Sequence, residues 1–124
     1  MPFVNASELP SFELFPKALS AIVHGDQLML SFLELAPGCE IPEHSHPHEQ
    51  AGLILSGSLR FRIGDEERVA VPGDAFIIPG NVVHWGIVEG EEVAKVLDIF
   101  SPPREDYIER YNQYTKTNPD TQWT

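Results

Sequence analysis

A chain of 124 residues, 42% of them hydrophobic, is long enough to build one domain around a buried core and too short for two. Its formal net charge of -11, from 19 acidic and 8 basic residues, repels phosphate backbones, so nucleic acid is not expected as a partner. The single cysteine, Cys39, excludes an intrachain disulfide, and the lack of a secretory signal or of about 18 continuous apolar residues predicts a cytoplasmic protein without a membrane span.

Short β-type segments separated by turn dipeptides fill the middle of the sequence. No amphipathic helical pattern lies between them, which argues against a βαβ architecture and for an all-β sandwich or barrel. The predicted strands are Leu28–Leu35, Ala51–Leu55, Leu59–Ile63, Arg68–Val71, Ala75–Ile78, Val82–Val88 and Val93–Phe100.

One of these segments, Leu59–Ile63, alternates between apolar and basic residues along its whole length. Such alternation is typical of a strand with one buried and one solvated face. Arg60 and Arg62 are therefore expected to face solvent rather than to serve a function.

The sequence changes character after Pro102-Pro103. The segment Arg104–Tyr111 predicts a short helix that begins near Pro103, and the polar tail from Asn112 predicts an arm with little order of its own. Trp123 in this tail is a candidate for docking on a partner subunit or a neighbouring surface. The whole chain, 1–124, is thus one domain, with a lead-in over 1–25, a barrel core over about 26–101 and a helix and arm over 102–124.

Four of the five histidines fall in two short segments, Gly38–Gly57 and Gly73–His84. His44, His46 and Gln50 have the same parity, so an extended chain would project all three toward one face. His84 follows on a later predicted strand. Three imidazoles and an amide oxygen converging inside a barrel would form a site for one divalent transition metal ion, and nickel, iron, zinc, cobalt or manganese would all suit these ligands.

These two segments resemble the paired motifs of the cupin family, Gly-x5-His-x-His-x3-Glu-x6-Gly and Gly-x5-Pro-x-Gly-x2-His-x3-Asn. Three positions depart from the motifs: Gln50 replaces Glu, Asn81 replaces Gly and Val88 replaces Asn. The positions that match the family spacing are Gly38, His44, His46, Gly57, Gly73, Pro79 and His84. The resemblance implies a single cupin β-barrel of the jelly-roll type, with His44, His46, Gln50 and His84 as metal ligands.

The replacement of glutamate by Gln50 changes the expected chemistry. All four protein ligands are then neutral, so a bound ion keeps its full double charge. This favours binding of an anionic substrate and Lewis-acid chemistry. His48 has the parity of the ligands but no metal role in the motif, and it is expected beside the site or at its rim. Glu49 points the other way and is expected to be structural.

Asp98 lies in the otherwise apolar segment Val93–Phe100. Aspartate is rare in strands, and its burial is costly without a partner. If the face shared by Asp98 and Phe100 points into the barrel, Asp98 is a candidate acid, base or anchor of a metal ligand. The alternative is a solvent-facing carboxylate.

The segments 44–50 and 97–106 resemble a narrower group, the small bacterial pectin-degradation cupins that linearise uronates. By this resemblance Asp98, Phe100 and Arg104 correspond to the group's active-site residues. The implied activity is an isomerase-type ring opening, which converts 4,5-unsaturated monouronates from pectin or alginate to linear keto forms. Arg104 would bind the carboxylate of this small sugar acid; its alternative role is a surface ion pair near the helix start.

Two further functions remain open because cupins perform many. One is a metal-dependent dioxygenase acting on a small organic substrate, and the other is a non-catalytic module that binds a sugar or small molecule. A homodimer is also expected, since a barrel with exposed sheet edges often pairs with a second copy.

Overall fold

The computed structural model describes residues 3–117, so the predictions about Trp123 and the end of the arm lie outside the described residues. This range holds ten strands, a short 3-10 helix at Ala6–Glu8 and one α-helix, α1 (Glu105–Thr117). The strands are β1 (Phe12–Phe15), β2 (Ala18–His24), β3 (Met29–Leu35), β4 (Glu40–His44), β5 (Glu49–Ser56), β6 (Leu59–Ile63), β7 (Glu66–Ala70), β8 (Ala75–Ile78), β9 (His84–Ile87) and β10 (Ala94–Ser101).

The strands form two antiparallel sheets. Six strands are ordered β1-β2-β3-β10-β5-β8 in the large sheet, and four are ordered β4-β9-β6-β7 in the small one. This arrangement confirms the predicted all-β architecture with a C-terminal helix. Within residues 3–117, α1 is the only α-helix, and it is neither long nor apolar enough to cross a membrane.

Alternation along the strands places one continuous core between the sheets. In β10, Ala94, Val96, Asp98 and Phe100 are buried while the residues between them are more exposed. The two sheets meet inside the domain, where the rings of Phe61 from β6 and Phe76 from β8 lie 4.9 Å apart between centroids. The core therefore lies against the inward face of β10, where the one aspartate of that strand lies.

The outward positions of β6 are those predicted for a solvated face. Arg60 donates to Glu89 at 2.8 Å and to Glu67 at 3.3 Å, and all three side chains are at least partly exposed. Arg62 contacts the same Glu67 at 3.8 Å. Both arginines thus form surface ion pairs, which contribute little to stability.

Three strands were not predicted from the sequence. The lead-in over residues 1–25 contributes β1 and β2, which extend the large sheet beyond β3. The strand β4 contains Pro42, a residue that usually argues against a strand. It is tolerated here because β4 is an edge strand of the small sheet, so only one of its sides pairs with a neighbouring strand.

The prediction of a poorly ordered arm from Asn112 is wrong as far as Thr117. The helix α1 continues to that residue, since it has a buried stripe that includes Tyr111 and Thr115. The Tyr111 ring meets that of Phe12 edge-on, 6.4 Å between centroids. Arg110 further donates to the backbone carbonyls of Leu14 and of Glu13, the latter at 3.0 Å. The helix is therefore fixed along β1, and its first turn is held over one end of the barrel.

Candidate metal centre

The predicted ligands come from both sheets and meet at one end of the barrel. His44 ends β4 and lies opposite His84 at the start of β9 in the small sheet. Gln50 lies in β5 of the large sheet, opposite Phe100 of β10. The sequence predicted that these side chains would lie on one face of a single extended strand. The chain instead bends at Pro47-His48, where it passes from the small sheet to the large one. Convergence of the side chains results from the sheets facing each other, not from shared strand parity.

The three imidazoles form a compact cluster. One ligand atom from each of His44, His46 and His84 lies within 4.8 Å of the others. The ring centroids of His44 and His84 are 4.1 Å apart, and those of His46 and His84 are 5.1 Å apart. Gln50 joins them, since its Oε1 lies 3.1 Å from the Nε2 of His46. All four predicted ligands are thus brought together.

Backbone carbonyls fix the orientation of each ring. The Nδ1 atoms of His44, His46 and His84 lie 2.7, 3.1 and 2.9 Å from the carbonyl oxygens of Pro42, His48 and Val82. Because a carbonyl only accepts, the Nδ1 of His44 and that of His84 carry the proton, and the Nε2 of each is left with a lone pair. In His46 both ring nitrogens face acceptor oxygens, those of His48 and Gln50. Such outer hydrogen bonds are typical of metal-binding histidines.

Burial favours the neutral form of His46 and His84. It lowers the pKa of His84 to about 4 and also lowers the pKa of His46, where the charge of Arg104 acts in the same direction. His84 is 2% exposed, and its Nε2 has no hydrogen-bond partner among the described residues. A buried polar atom is rarely left unpaired, so this nitrogen is suited to bind a ligand.

Gln50 and Asp98 are joined inside the barrel, each 6% exposed. Asp98 accepts a hydrogen bond from the Gln50 side chain. Burial raises the pKa of Asp98 to about 7, although the Gln50 hydrogen bond and the charge of Arg104 act to lower it. The alternative of a solvent-facing carboxylate is therefore wrong, and the carboxyl group lies beside a metal-ligand candidate.

Arg104 immediately precedes α1, lines the cavity and also forms an ion pair with a surface carboxylate. Its guanidinium lies 5.2 Å from the ring centroid of Phe100 and 4.1 Å from that of Tyr107, and it lines the same cavity as Asp98. It also forms a two-point ion pair with Asp106, at 3.1 Å from Nε and 2.8 Å from Nη2. The hydrogen bond and charge of Arg104 lower the pKa of Asp106 against the effect of burial.

The loop between β8 and β9 holds the histidine segment in place. Asn81 adopts a left-handed conformation with φ 68°, which asparagine tolerates better than most residues and which explains why it can replace the glycine of the motif. Its backbone N–H donates to the carbonyl of His46 at 2.7 Å. At Gly80 a Cβ would lie 2.5 Å from the carbonyl oxygen of Pro47, so only glycine allows this approach.

His48 lies beside the site, as expected for a residue without a metal role. Its carbonyl holds the ring of His46, and its own Nε2 lies 3.2 Å from Glu105 at the start of α1. Glu49 is exposed. His48 therefore connects the histidine segment to the helix.

Three of the four ligand candidates, His44, Gln50 and His84, border a narrow cavity of about 50 Å³. Tyr107 and the β1 residues Leu14 and Phe15 line it but were not predicted, because their positions depend on α1 packing against a strand that the sequence pattern did not reveal. The cavity is lined by Leu14, Phe15, Leu33, Ile41, His44, Gln50, Leu59, Phe61, His84, Val96, Asp98, Phe100, Arg104 and Tyr107.

Comparison with known proteins decides the family. Residues 31–100, more than half of the chain, match the model of the cupin domain. The chain belongs to the cupin family. This cupin is 34% identical to the pectin degradation protein KdgF of Dickeya dadantii over 88 residues, which cover 70% of this chain and 79% of that protein. The resemblance to pectin-degradation cupins that the sequence indicated is thereby confirmed.

Two solved structures superpose closely on this cupin. KdgF from Halomonas sp. superposes with a TM-score of 0.79 at 27% identity, covering 86% of this chain and 98% of that one. An RmlC-like cupin from Shewanella frigidimarina has a TM-score of 0.80 at 22% identity, covering 86% and 96%. Because its identity is low, the similarity to the Shewanella protein shows a shared fold and nothing about function.

Proposed function

We propose that this cupin is a metal-dependent enzyme that converts 4,5-unsaturated monouronates to their linear keto forms. One observation supports this most: a cluster of neutral metal-ligand candidates borders the same buried cavity as the carboxyl group of Asp98. The similarity to two proteins named KdgF, one of them named as a pectin degradation protein, suggests an acidic sugar-derived substrate.

His44, His46, Gln50 and His84 would hold one divalent transition metal ion. Their neutral nitrogen and oxygen donors suit such an ion, and the unpaired, buried Nε2 of His84 fits this role. The bound ion would act as a Lewis acid toward oxygen atoms of the substrate. Because none of the four ligands carries a negative charge, the site would attract an anion.

Asp98 would move protons between substrate atoms. Opening a cyclic hemiacetal and shifting a double bond require a group that accepts a proton at one atom and returns it at another. A carboxyl group whose pKa is raised to about 7 by burial is present in both forms near neutral pH. Phe100, which is 1% exposed beside it, would pack against the sugar ring.

The size of the cavity limits how a sugar can bind. A volume of about 50 Å³ has room for a few water molecules, each of which needs about 10–15 Å³, but not for a sugar ring. Binding therefore requires side chains that bound the cavity to move. Those of Arg104 and Tyr107 are the candidates, since both line the cavity and only a contact of 3.3 Å joins their polar ends.

The proposed activity has a direct test. Freshly prepared 4,5-unsaturated galacturonate is followed by NMR with metal-loaded protein, with metal-free protein and without protein. We expect linear keto product to accumulate faster only with the loaded protein. A rate no greater than that of the spontaneous reaction would refute the proposal, and oxygen uptake on loading with iron or nickel would point to a dioxygenase.

We also propose that the chain forms a homodimer, paired through the outward face of the large sheet rather than through sheet edges. Two apolar rows cross five strands of this sheet in register. We call them the outer sheet face; its residues are Ala21, Val23, Leu30, Phe32, Ala51, Leu53, Ala75, Ile77, Leu97 and Ile99. Leu53 and Ile77 are 36% and 60% exposed.

Charge favours a second copy as the occupant of this face. None of its ten residues is charged, on a chain with a net charge of -11. Two such chains repel each other least where an uncharged face meets the same face, as in a two-fold dimer. At its margin Glu34 and Lys95 are cross-strand neighbours, a pair that a two-fold axis could match with its copy.

A cytoplasmic location remains part of this proposal. Cys39, the single cysteine, is buried and free, which suits a reducing compartment without requiring one. Fractionation of cells that produce the chain with an epitope tag would test this location.

A further inference from the structure

The first turn of α1 carries a hydroxyl group that the proposed chemistry leaves unused. The ring of Tyr107 meets that of Phe100 edge-on, 5.5 Å between centroids, and lies under the guanidinium of Arg104. It lines the cavity together with Gln50 and Asp98. Tyr107 is therefore within the candidate site although no cupin motif contains it.

The phenol oxygen of Tyr107 is an acceptor in the structure, and its proton remains available. Arg104 donates from Nη1 to this oxygen at 3.3 Å, and a guanidinium can only donate. Within residues 3–117, no side-chain hydrogen bond takes the Tyr107 proton. Burial, with the charge of Asp98 also contributing, raises the Tyr107 pKa to about 12 despite Arg104, so the hydroxyl stays protonated.

Some N–H groups of Arg104 are already hydrogen-bonded, and the remaining ones could bind an anion. Of its five N–H groups, the one at Nε and one at Nη2 are directed to Asp106, and one at Nη1 is directed to Tyr107. The carboxylate of Asp106 neutralises much of its charge. An incoming anion would therefore gain from a second donor beside the guanidinium.

We propose that Tyr107 is a substrate-binding residue, whose hydroxyl and the Nη1 of Arg104 together bind the carboxylate of a sugar acid. The inference rests on the proposed function, because it names the group that recognises the proposed substrate's charge. The existing Nη1–Oη contact of 3.3 Å is longer than the usual 2.7–3.2 Å. It is thus easily exchanged for contacts with a carboxylate, which accepts a hydrogen bond from each partner.

This exchange also accounts for the narrow cavity. The Arg104–Tyr107 contact closes one side of it, and separating the two side chains to admit a carboxylate enlarges it where space is needed. Asp106 keeps the planar guanidinium oriented during this movement, since its two-point contact involves Nε and Nη2 and leaves the N–H groups of Nη1 for the ligand. Asp106 is thus a positioning residue.

The test measures binding of two probes to the full, metal-loaded chain. Galacturonate carries the carboxylate, and galactose has the same ring with an uncharged hydroxymethyl group in its place. Tyr107→Phe removes only the hydroxyl and keeps the ring contacts with Phe100 and Arg104. Tyr111→Phe is the matched control on the same helix, because its ring contacts Phe12 and does not line the cavity. Metal content and melting temperature are checked for each variant.

We expect Tyr107→Phe to weaken galacturonate binding by about tenfold to a hundredfold, the usual effect of losing a hydrogen bond to a charged group. Galactose binding should change by less than about twofold, and Tyr111→Phe should leave both unchanged. Wild-type affinity for galacturonate in Tyr107→Phe would overturn the inference. So would an equal loss for both sugars, or no binding of galacturonate by the wild type.

Turnover separates this inference from the proposed function. If the wild type does not convert unsaturated galacturonate but binds galacturonate through Tyr107, the proposed reaction fails and the anion site stands. If conversion is observed and Tyr107→Phe binds galacturonate as the wild type does, the reaction stands and Tyr107 has no part in recognition.

Discussion

Asp98 accepts a hydrogen bond from the side-chain amide of Gln50, and this contact determines which end of the amide faces His46. Because a carboxylate only accepts, it takes the NH₂ group of Gln50. The amide oxygen is then turned toward the imidazoles, where a metal ion would need it. A glutamate at position 50 could not make the same contact with an ionised Asp98. The two residues therefore form one unit, in which glutamine is the ligand that a neighbouring carboxyl group can orient.

This pairing predicts different results for two substitutions of Asp98. Asp98→Asn keeps an oxygen that can accept from Gln50, so metal content should stay near that of the wild type. It removes the ionisable group, so turnover of unsaturated galacturonate should fall by about 10²- to 10⁴-fold. Asp98→Ala removes the acceptor too, and metal affinity should also fall, by about ten- to a hundredfold. Full activity in Asp98→Asn would contradict a proton-transfer role.

A second prediction concerns the charge of the ligand set. Gln50→Glu should still bind metal but should bind galacturonate less tightly at equal metal occupancy, because the added negative charge lowers the potential of the site. Binding of galactose should change less. Val69→Glu adds the same charge on β7, away from the cavity, and should leave both affinities unchanged. Equal or tighter galacturonate binding in Gln50→Glu would refute the charge argument.

Much of the fold follows from local sequence patterns. The predicted segments Leu59–Ile63 and Ala75–Ile78 match β6 and β8 to the residue. Flanking glycines set the limits of both, and alternation of apolar and basic residues sets the period of β6. The strand β2 lacks such a signal, since four of its first five residues are buried without alternating. The length of α1 also escaped prediction, because its stripe of Tyr111 and Thr115 is apolar only in part.

The candidate site also has a part that local sequence predicts and a part that depends on tertiary packing. Its histidines and Gln50 could be found because motif spacing is a property of the chain alone. Which side chains complete the cavity depends on the docking of α1, through Arg110 on the carbonyls of β1, and no local pattern encodes that contact. The ion pair of Arg104 with Asp106, two residues away, could be foreseen only as an alternative to a ligand-binding role.

Loss of the metal should lower thermal stability. An ion present at about a hundred times its dissociation constant stabilises the folded state by about 2.7 kcal/mol, which corresponds to roughly 10 °C in melting temperature for a domain of this size. Replacing His44, His46 or His84 with alanine should abolish metal binding, and with it this gain in melting temperature. His24→Ala is the control, since this exposed histidine lies at the end of β2 outside the cluster. Unchanged metal content in all three ligand variants would exclude the assigned site.

The last prediction concerns the outer sheet face. Leu53 lies in one of its two apolar rows, between Ala75 and Leu97 on the neighbouring strands. Leu53→Glu would bring two carboxylates close together across a two-fold interface and bury them, so the protein should change from a dimer to a monomer in light scattering. The matched control is again Val69→Glu, because Val69 is 42% exposed on the other sheet and receives the same charge. A monomeric wild type, or dimers that persist in Leu53→Glu and dissociate in Val69→Glu, would show that the copies do not meet at this face. Metal content should be equal in both variants, since neither residue lines the cavity.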